Sequence, residues 1–143
     1  MARVFLSHAS ADAALADAVH DALAAAGHEV FLDHHRDDGI AAGAEWERVL
    51  YEELDRADAL VCVVTAAYVG SRWCFAEIAL AKSRGRLIVP LTAADGAPHP
   101  LLAPAQALAY GADPAAATAR LLDRLSAVDA GGGAAWDPAR AVY

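Results

Sequence analysis

The chain has 143 residues, a length that builds one domain around one core. Alanine supplies much of its apolar fraction, so that core rests on relatively few large side chains, and Lys82 is the only lysine among eleven basic residues. The formal net charge is −8 with no basic run, which excludes a surface made for nucleic acid or for an anionic membrane.

Strand and helix signals alternate along the chain. RVFLS (Arg3–Ser7) is short and β-rich, and ASADAALADAVHDALAAAG follows it. In that run Ser10 is expected to cap a helix, Asp12 suits the positive end of its dipole, and Gly27 stops it. Leu15, Val19 and Leu23 repeat every four residues and mark one face. HEVFLD (His28–Asp33) reads as the second strand. The polar, glycine-bearing loop HHRDDGIAAG then leads to AEWERVLYEELDRA, whose Trp46, Val49, Leu50 and Leu54 predict an amphipathic helix.

DALVCVVT (Asp58–Thr65) is nearly continuous and β-branched, as a strand covered on both faces would be. The next helix lies within GSRWCFAEIALAKSRG, with Ser71 as its N-cap. RLIVPLT (Arg86–Thr92) predicts the fourth strand, with pairing ending or bulging near Pro90 because proline lacks the ladder N–H. QALAY (Gln106–Tyr110) is a weak fifth strand, and PAAATARLLDRLSAV a final helix opened by Pro114. Three prolines make 92–106 the least readable stretch.

Such alternation predicts an α/β fold with a parallel sheet and right-handed crossovers. Ligands in these sheets sit beyond the carboxyl ends of the strands, here Ser7 to Ala9, Asp33 to Gly43, Thr65 to Trp73, and Thr92 onward. After Val128 comes DAGGGAAWDPARAVY, whose glycine run reads as a linker, so the expected division is a domain over 1–128 and a tail over 129–143. The opening MARVFLSHAS lacks the pattern of a signal peptide, and no apolar stretch approaches the ~18 residues of a membrane span. Cys62 and Cys74 form neither a CxxC nor a metal spacing, and Cys62 sits in an apolar run as a buried thiol would. A reduced, cytoplasmic domain is the expectation.

No nucleophile elbow, Walker loop or GxGxxG is present, and the turn SHASAD has no glycine. His8, at a strand's carboxyl end, is open between a satisfied structural histidine and a ligand contact. His34 and His35 are adjacent, point different ways, and have no third ligand at metal spacing, so a solvated loop is the reading and no metal is expected. Asp33, Asp37 and Asp38 fit a phospho-acceptor receiver poorly, since Ser7-His8 and Thr65 stand where that domain wants acids. Cys74 near a helix start has no base beside it in sequence and reads as packing or pocket lining.

Glu77 raises a sharper question. At about 100° per residue, Cys74, Phe75, Ile78 and Ala81 gather on one face, with Trp73, Glu77, Leu80 and Arg84 on another. No basic residue stands three or four positions from Glu77 to pair with it. Either it lies on a partly exposed flank and reaches a remote arginine, or the carboxylate is placed for chemistry.

VFLSHASAD, DDGIAAGAEW and ADALVCVVTAAYVGSRWCFAEIALA occur in this order at the expected element boundaries, the last containing S-x-W-C-x-x-E. Together they resemble a bacterial-type Toll/interleukin-1 receptor (TIR) domain, over roughly Arg3 to Val128. The resemblance implies a flavodoxin-like three-layer sandwich with a five-stranded parallel sheet. It also implies enzymes that cleave NAD at the nicotinamide–ribose bond, or adaptors without activity. Trp73 and Glu77 match the W-x-x-x-E of the enzymatic members. Arg36-Asp37 are retained without the following proline of the animal receptor loop, and the animal phenylalanine–tryptophan pair near the last helix is absent. Both departures point away from the adaptor form.

By resemblance, then, Glu77 is the catalytic residue, and Ser7, His8, Ala9, Arg36, Ile40, Trp46, Ser71, Trp73 and Cys74 bind the substrate. NAD is a substrate and no prosthetic group is implied. The loop 34–45 is expected to self-associate and complete the pocket, and the domain to serve as effector of a bacterial immune or cell-death protein. WDPARAVY resembles a junction with a signalling ATPase or sensor domain. The competing expectations are a non-catalytic TIR domain acting by homotypic contacts and a nucleoside deoxyribosyltransferase-like enzyme, which also uses a glutamate beside the ribose.

Overall fold

The computed structural model describes residues 1–32, 43–103 and 105–130, with 43–47 and 129–130 by backbone alone. Its elements run β1 (Arg3–Ser7), α1 (Ala13–Ala25), β2 (Glu29–Leu32), α2 (Gly43–Arg56), β3 (Ala59–Val64), α3 (Ala66–Val69), α4 (Arg72–Ser83), β4 (Leu87–Thr92) and α5 (Pro114–Ala130). All strand pairs are parallel, in the order β2-β1-β3-β4. Residues 131–143, and with them most of the expected tail, lie outside the described residues; α5 itself runs two residues past the expected boundary at 128.

Alternating strand residues feed two separate apolar layers. Val4 and Leu6, Val61 and Val63, Val89 and Leu91 pack under α1 and α5, against Val19, Leu23, Leu121 and Leu125. Phe5, Leu60, Cys62, Val64 and Ile88 face the other way, against Leu50, Leu54, Tyr68, Cys74 and Ile78 of α2 to α4. Helices therefore cover both faces, which is why all six residues of β3 are buried. The chain leaves β1 through α1 to one side and returns through α2 on the other, so β1 and β3 flank the point where the winding reverses.

Three expectations change here. The sheet has four strands rather than five: QALAY contributes a single parallel bridge, Leu91 to Leu108, with Leu108 N donating to Pro90 O and Thr92 N to Leu108 O, both at 2.8 Å. Pairing does not end at Pro90, because Cys62–Pro90, Val63–Leu91 and Val64–Thr92 stay in register. The proline carbonyl faces Leu108 on the outer side of β4, so its missing N–H falls on that side and leaves the β3 ladder intact. Ser10 caps nothing; it opens a 3-10 turn over Ser10–Asp12, and α1 starts at Ala13. Gly27, by contrast, ends α1's return with φ 91°, a conformation side-chain-bearing residues avoid.

Candidate functional site

Strand alternation decides what Ser7 can touch. As the last residue of β1 and two positions after Phe5, it points to the α2–α4 side, and its Cα partner across the ladder is Cys62. A buried hydroxyl there needs partners. It has two: Ser7 Oγ donates to Glu77 Oε1 at 2.6 Å and lies 2.9 Å from Tyr68 Oη. Ser7 and Tyr68 are completely buried, and Glu77 is only 1% exposed.

Glu77 is thus on the buried face of α4, with Cys74, Ile78 and Ala81, rather than on a flank. Phe75, grouped with the core face in the sequence, is 49% exposed instead. The angular spacing explains both: Glu77 lies about 60° to one side of Cys74 and Phe75 about 100° to the other. The helix turns the arc that holds Glu77 toward β1. The missing local partner is supplied from across the fold, by a hydroxyl 70 residues away in the chain. Trp73, one turn earlier, is half-buried against the same apolar layer, and Ser71 caps α4 by accepting from Cys74 N at 3.3 Å.

A second tie holds the carboxyl ends of β1 and β3 together. Thr65 Oγ1 donates to Asp12 Oδ2 at 2.6 Å and accepts from Tyr68 N at 3.1 Å, capping α3. This fixes Tyr68 under the end of β1. The Cys62 side chain is hydrogen-bonded to Tyr68. Burial pushes the Cys62 thiol far up, with the Tyr68 hydrogen bond acting in the opposite direction and the Cys74 and Glu77 charges adding to the rise. Burial likewise raises the Tyr68 phenol well above its usual value. Both groups stay protonated at neutral pH.

His99 borders this cluster, its ring 6.0 Å from those of both Tyr68 and Phe75. Its Nδ1 accepts from Leu101 N at 3.1 Å, and burial lowers its basicity, so the ring is neutral with its proton on Nε2. A cavity of about 310 Å³ opens at the carboxyl ends of β3 and β4, between Val64, Thr92, Gly96, His99 and Leu102. Its lining does not include Ser7, Tyr68 or Glu77.

Of the residues expected to form the site, Ser7, His8, Ala9, Cys74 and Glu77 are buried and Ser71 and Trp73 half-buried around the ends of β1 and β3. Arg36 and Ile40 lie outside the described residues, as do Asp33, His34, His35, Asp37 and Asp38, and Trp46 is described by its backbone in α2 alone. Tyr68, Cys62 and the Asp12–Thr65 tie were not among the expected site residues. Only the placement of Tyr68 three residues after a strand-ending Thr65 could have hinted at it, as a capping pattern. Among the described residues no group of three or more His, Cys, Asp or Glu could hold a metal ion, and no helix is long and apolar enough to cross a membrane.

The TIR domain family model matches residues 4–125. The chain belongs to the TIR domain family. Its fold is similar to that of the TIR domain of the Toll-related receptor TRR-2 from Hydra magnipapillata, at 17% identity and a TM-score of 0.69, over 87% of this chain and 97% of that one. It is also similar to the CMP N-glycosidase BcmB of Clostridium botulinum, at 19% identity and a TM-score of 0.60, over 85% of this chain and 98% of that one. No curated protein matches the sequence. At these identities the two solved structures speak to the fold.

Proposed function

We infer that this TIR domain cleaves NAD at the bond between nicotinamide and ribose, with Glu77 as the catalytic carboxylate. The observation that carries the reading is the Glu77 carboxylate held at the carboxyl end of β1 by the Ser7 hydroxyl at 2.6 Å, with Trp73 one turn before it on α4. Nicotinamide departs as a neutral molecule from a cationic pyridinium, so the reaction asks little of a general acid. Positive charge develops on the ribose, as in glycoside hydrolysis. A fixed carboxylate in apolar surroundings stabilises that charge more strongly than one in water. The Trp73 indole offers a surface for a base or ribose to stack on. Residues 34–45 would complete the pocket against a second copy, and the activity would make the domain the effector of a signalling protein.

The 1% exposure of Glu77 favours a second reading, in which the carboxylate is a structural element and the TIR domain works through homotypic contacts. Nicotinamide release separates the two. Expected is weak turnover by dilute protein, rising faster than linearly with concentration or on fusion to an oligomerising partner. No release under assembled conditions would refute the enzymatic reading; activity strictly proportional to concentration in dilute protein would refute the role of assembly. Because a CMP N-glycosidase shares the fold, CMP is the control substrate, and base exchange between deoxynucleosides tests the transferase alternative.

A further inference from the structure

Proton counting orders the buried groups around Glu77. Ser7 has one hydroxyl proton, and it is directed to Glu77 Oε1. The contact of 2.9 Å between Ser7 Oγ and Tyr68 Oη must then use the Tyr68 proton, so Tyr68 donates and Ser7 accepts. The Tyr68 proton is then committed to Ser7 rather than to the Cys62 sulfur, the acceptor on its other side. With the carboxylate ionised these donors run in one direction: Tyr68 to Ser7 to Glu77. The groups come from α3, β1 and α4, so no single element sets their alignment.

We propose that Tyr68 is a positioning residue that, by donating to Ser7 Oγ, holds the Ser7 hydroxyl in the rotamer that donates to Glu77 and thereby fixes the carboxylate for reaction. Hydrogen bonds in a chain polarise one another, so the donor reaching Glu77 is stronger for having Tyr68 behind it. Protonation of Glu77 lets the whole chain reverse by rotation of hydroxyls, ending on the Cys62 sulfur as acceptor. Among the described residues, other titratable groups near this cluster are the Cys74 thiol of α4, the buried His8 after β1, Asp12 through Thr65, and His99 beyond Tyr68.

The kinetic part rests on the NAD-cleaving reading, and the test separates the two. Tyr68→Phe keeps the ring and removes the donor; Ser7→Ala removes the link. With NAD, Tyr68→Phe is expected to lower kcat about 2–10-fold, the worth of one neutral hydrogen bond, with KM little changed. Ser7→Ala lowers it more, and Ser7→Ala/Tyr68→Phe no further than Ser7→Ala alone, because Tyr68 acts only through Ser7. A second readout needs no turnover: the ¹³C carboxyl titration of Glu77, with its resonance assigned by loss in Glu77→Gln. The carboxylate should take up its proton at higher pH in Ser7→Ala, by a smaller amount in Tyr68→Phe, and in the double variant as in Ser7→Ala. Circular dichroism sets equal folded fractions. Parent-like titration in Tyr68→Phe, or effects that add fully in the double variant, would overturn the relay. A parent that releases no nicotinamide would overturn the activity alone, since the titration still decides on Tyr68.

Discussion

Glu77→Gln keeps the shape of the side chain and removes its charge, and the structure sets the expected effect on both rate and stability. On rate, one preorganised electrostatic group facing the developing ribosyl cation is worth about 10²–10³ in kcat, or about 2.7–4 kcal/mol. On stability, a surface flank would predict a change within about 0.5 kcal/mol. Glu77 is 1% exposed and accepts a short bond from Ser7, so a different figure applies. The charge-assisted bond, worth about 1.5–3 kcal/mol, becomes a neutral one near 1 kcal/mol, and the new amide brings two donors into a sealed position. Relief of a buried charge acts in the opposite direction. The expected net loss is about 1–3 kcal/mol, visible as a lowered melting temperature but compatible with folding. Nicotinamide release is therefore compared at equal folded fraction, with protein concentrated or fused to an oligomerising partner. Turnover within a few-fold of the parent would show that the carboxylate is structural and that the catalytic assignment is wrong.

Two further predictions address the frame around the site. A Cβ at Gly111 would lie 2.3 Å from Ala94 N and 2.7 Å from Ala93 C, backbone that cannot turn aside, so Gly111→Ala should cost about 1–3 kcal/mol in a urea melt. Gly70→Ala, whose Cβ meets nothing nearer than 3.9 Å, is the control; equal melts would refute the packing argument. Burial depresses the basicity of His99, so the unfolded chain binds a proton that the fold refuses, and stability should fall as pH drops below 6.5 until the folded histidine itself titrates. His99→Asn keeps an acceptor for Leu101 N without the titration, and should flatten that slope in melts between pH 7.5 and 5; parallel slopes would refute the assignment.

Repetition and locality made parts of the fold legible in the sequence. Leu15, Val19 and Leu23 mark the inner face of α1, the last two buried and the first partly so, and the unbroken ALVCVV became a strand covered on both sides. The serine at the start of α4 was legible as a cap because capping is local, over three residues. Features that depend on a neighbour were not. Whether Pro90 breaks a ladder depends on which of its two sides meets β3, and only the sheet order answers that. The weak QALAY strand depended on an edge that offers a single bridge. A helical wheel gives Glu77 a direction but not the depth of what it meets, and the arc between Cys74 and Leu80 is buried because β1 and α3 close over it. Tyr68 sits on a helix of four residues, too short to show a period.

The position of Ser7 accounts for why a carboxylate can sit here. Parallel strands in a doubly covered sheet bury both faces, so any polar residue near a strand end must find its partners within the protein. At the end of β1, beside the point where the winding reverses, the facing residues arrive from α3 and α4, which come directly after β3. A hydroxyl on β1 can then hold an acid on α4 by a direct hydrogen bond. On the catalytic reading, a hydrogen bond donated to the carboxylate favours the ionised form that stabilisation of a ribosyl cation requires. The same enclosure leaves Glu77 only 1% exposed in the single chain. For the catalytic reading, therefore, the step left to assembly is access: the Ser7 bond that orients the carboxylate is already built into one copy, and opening a path to Glu77 is what a second copy would have to supply.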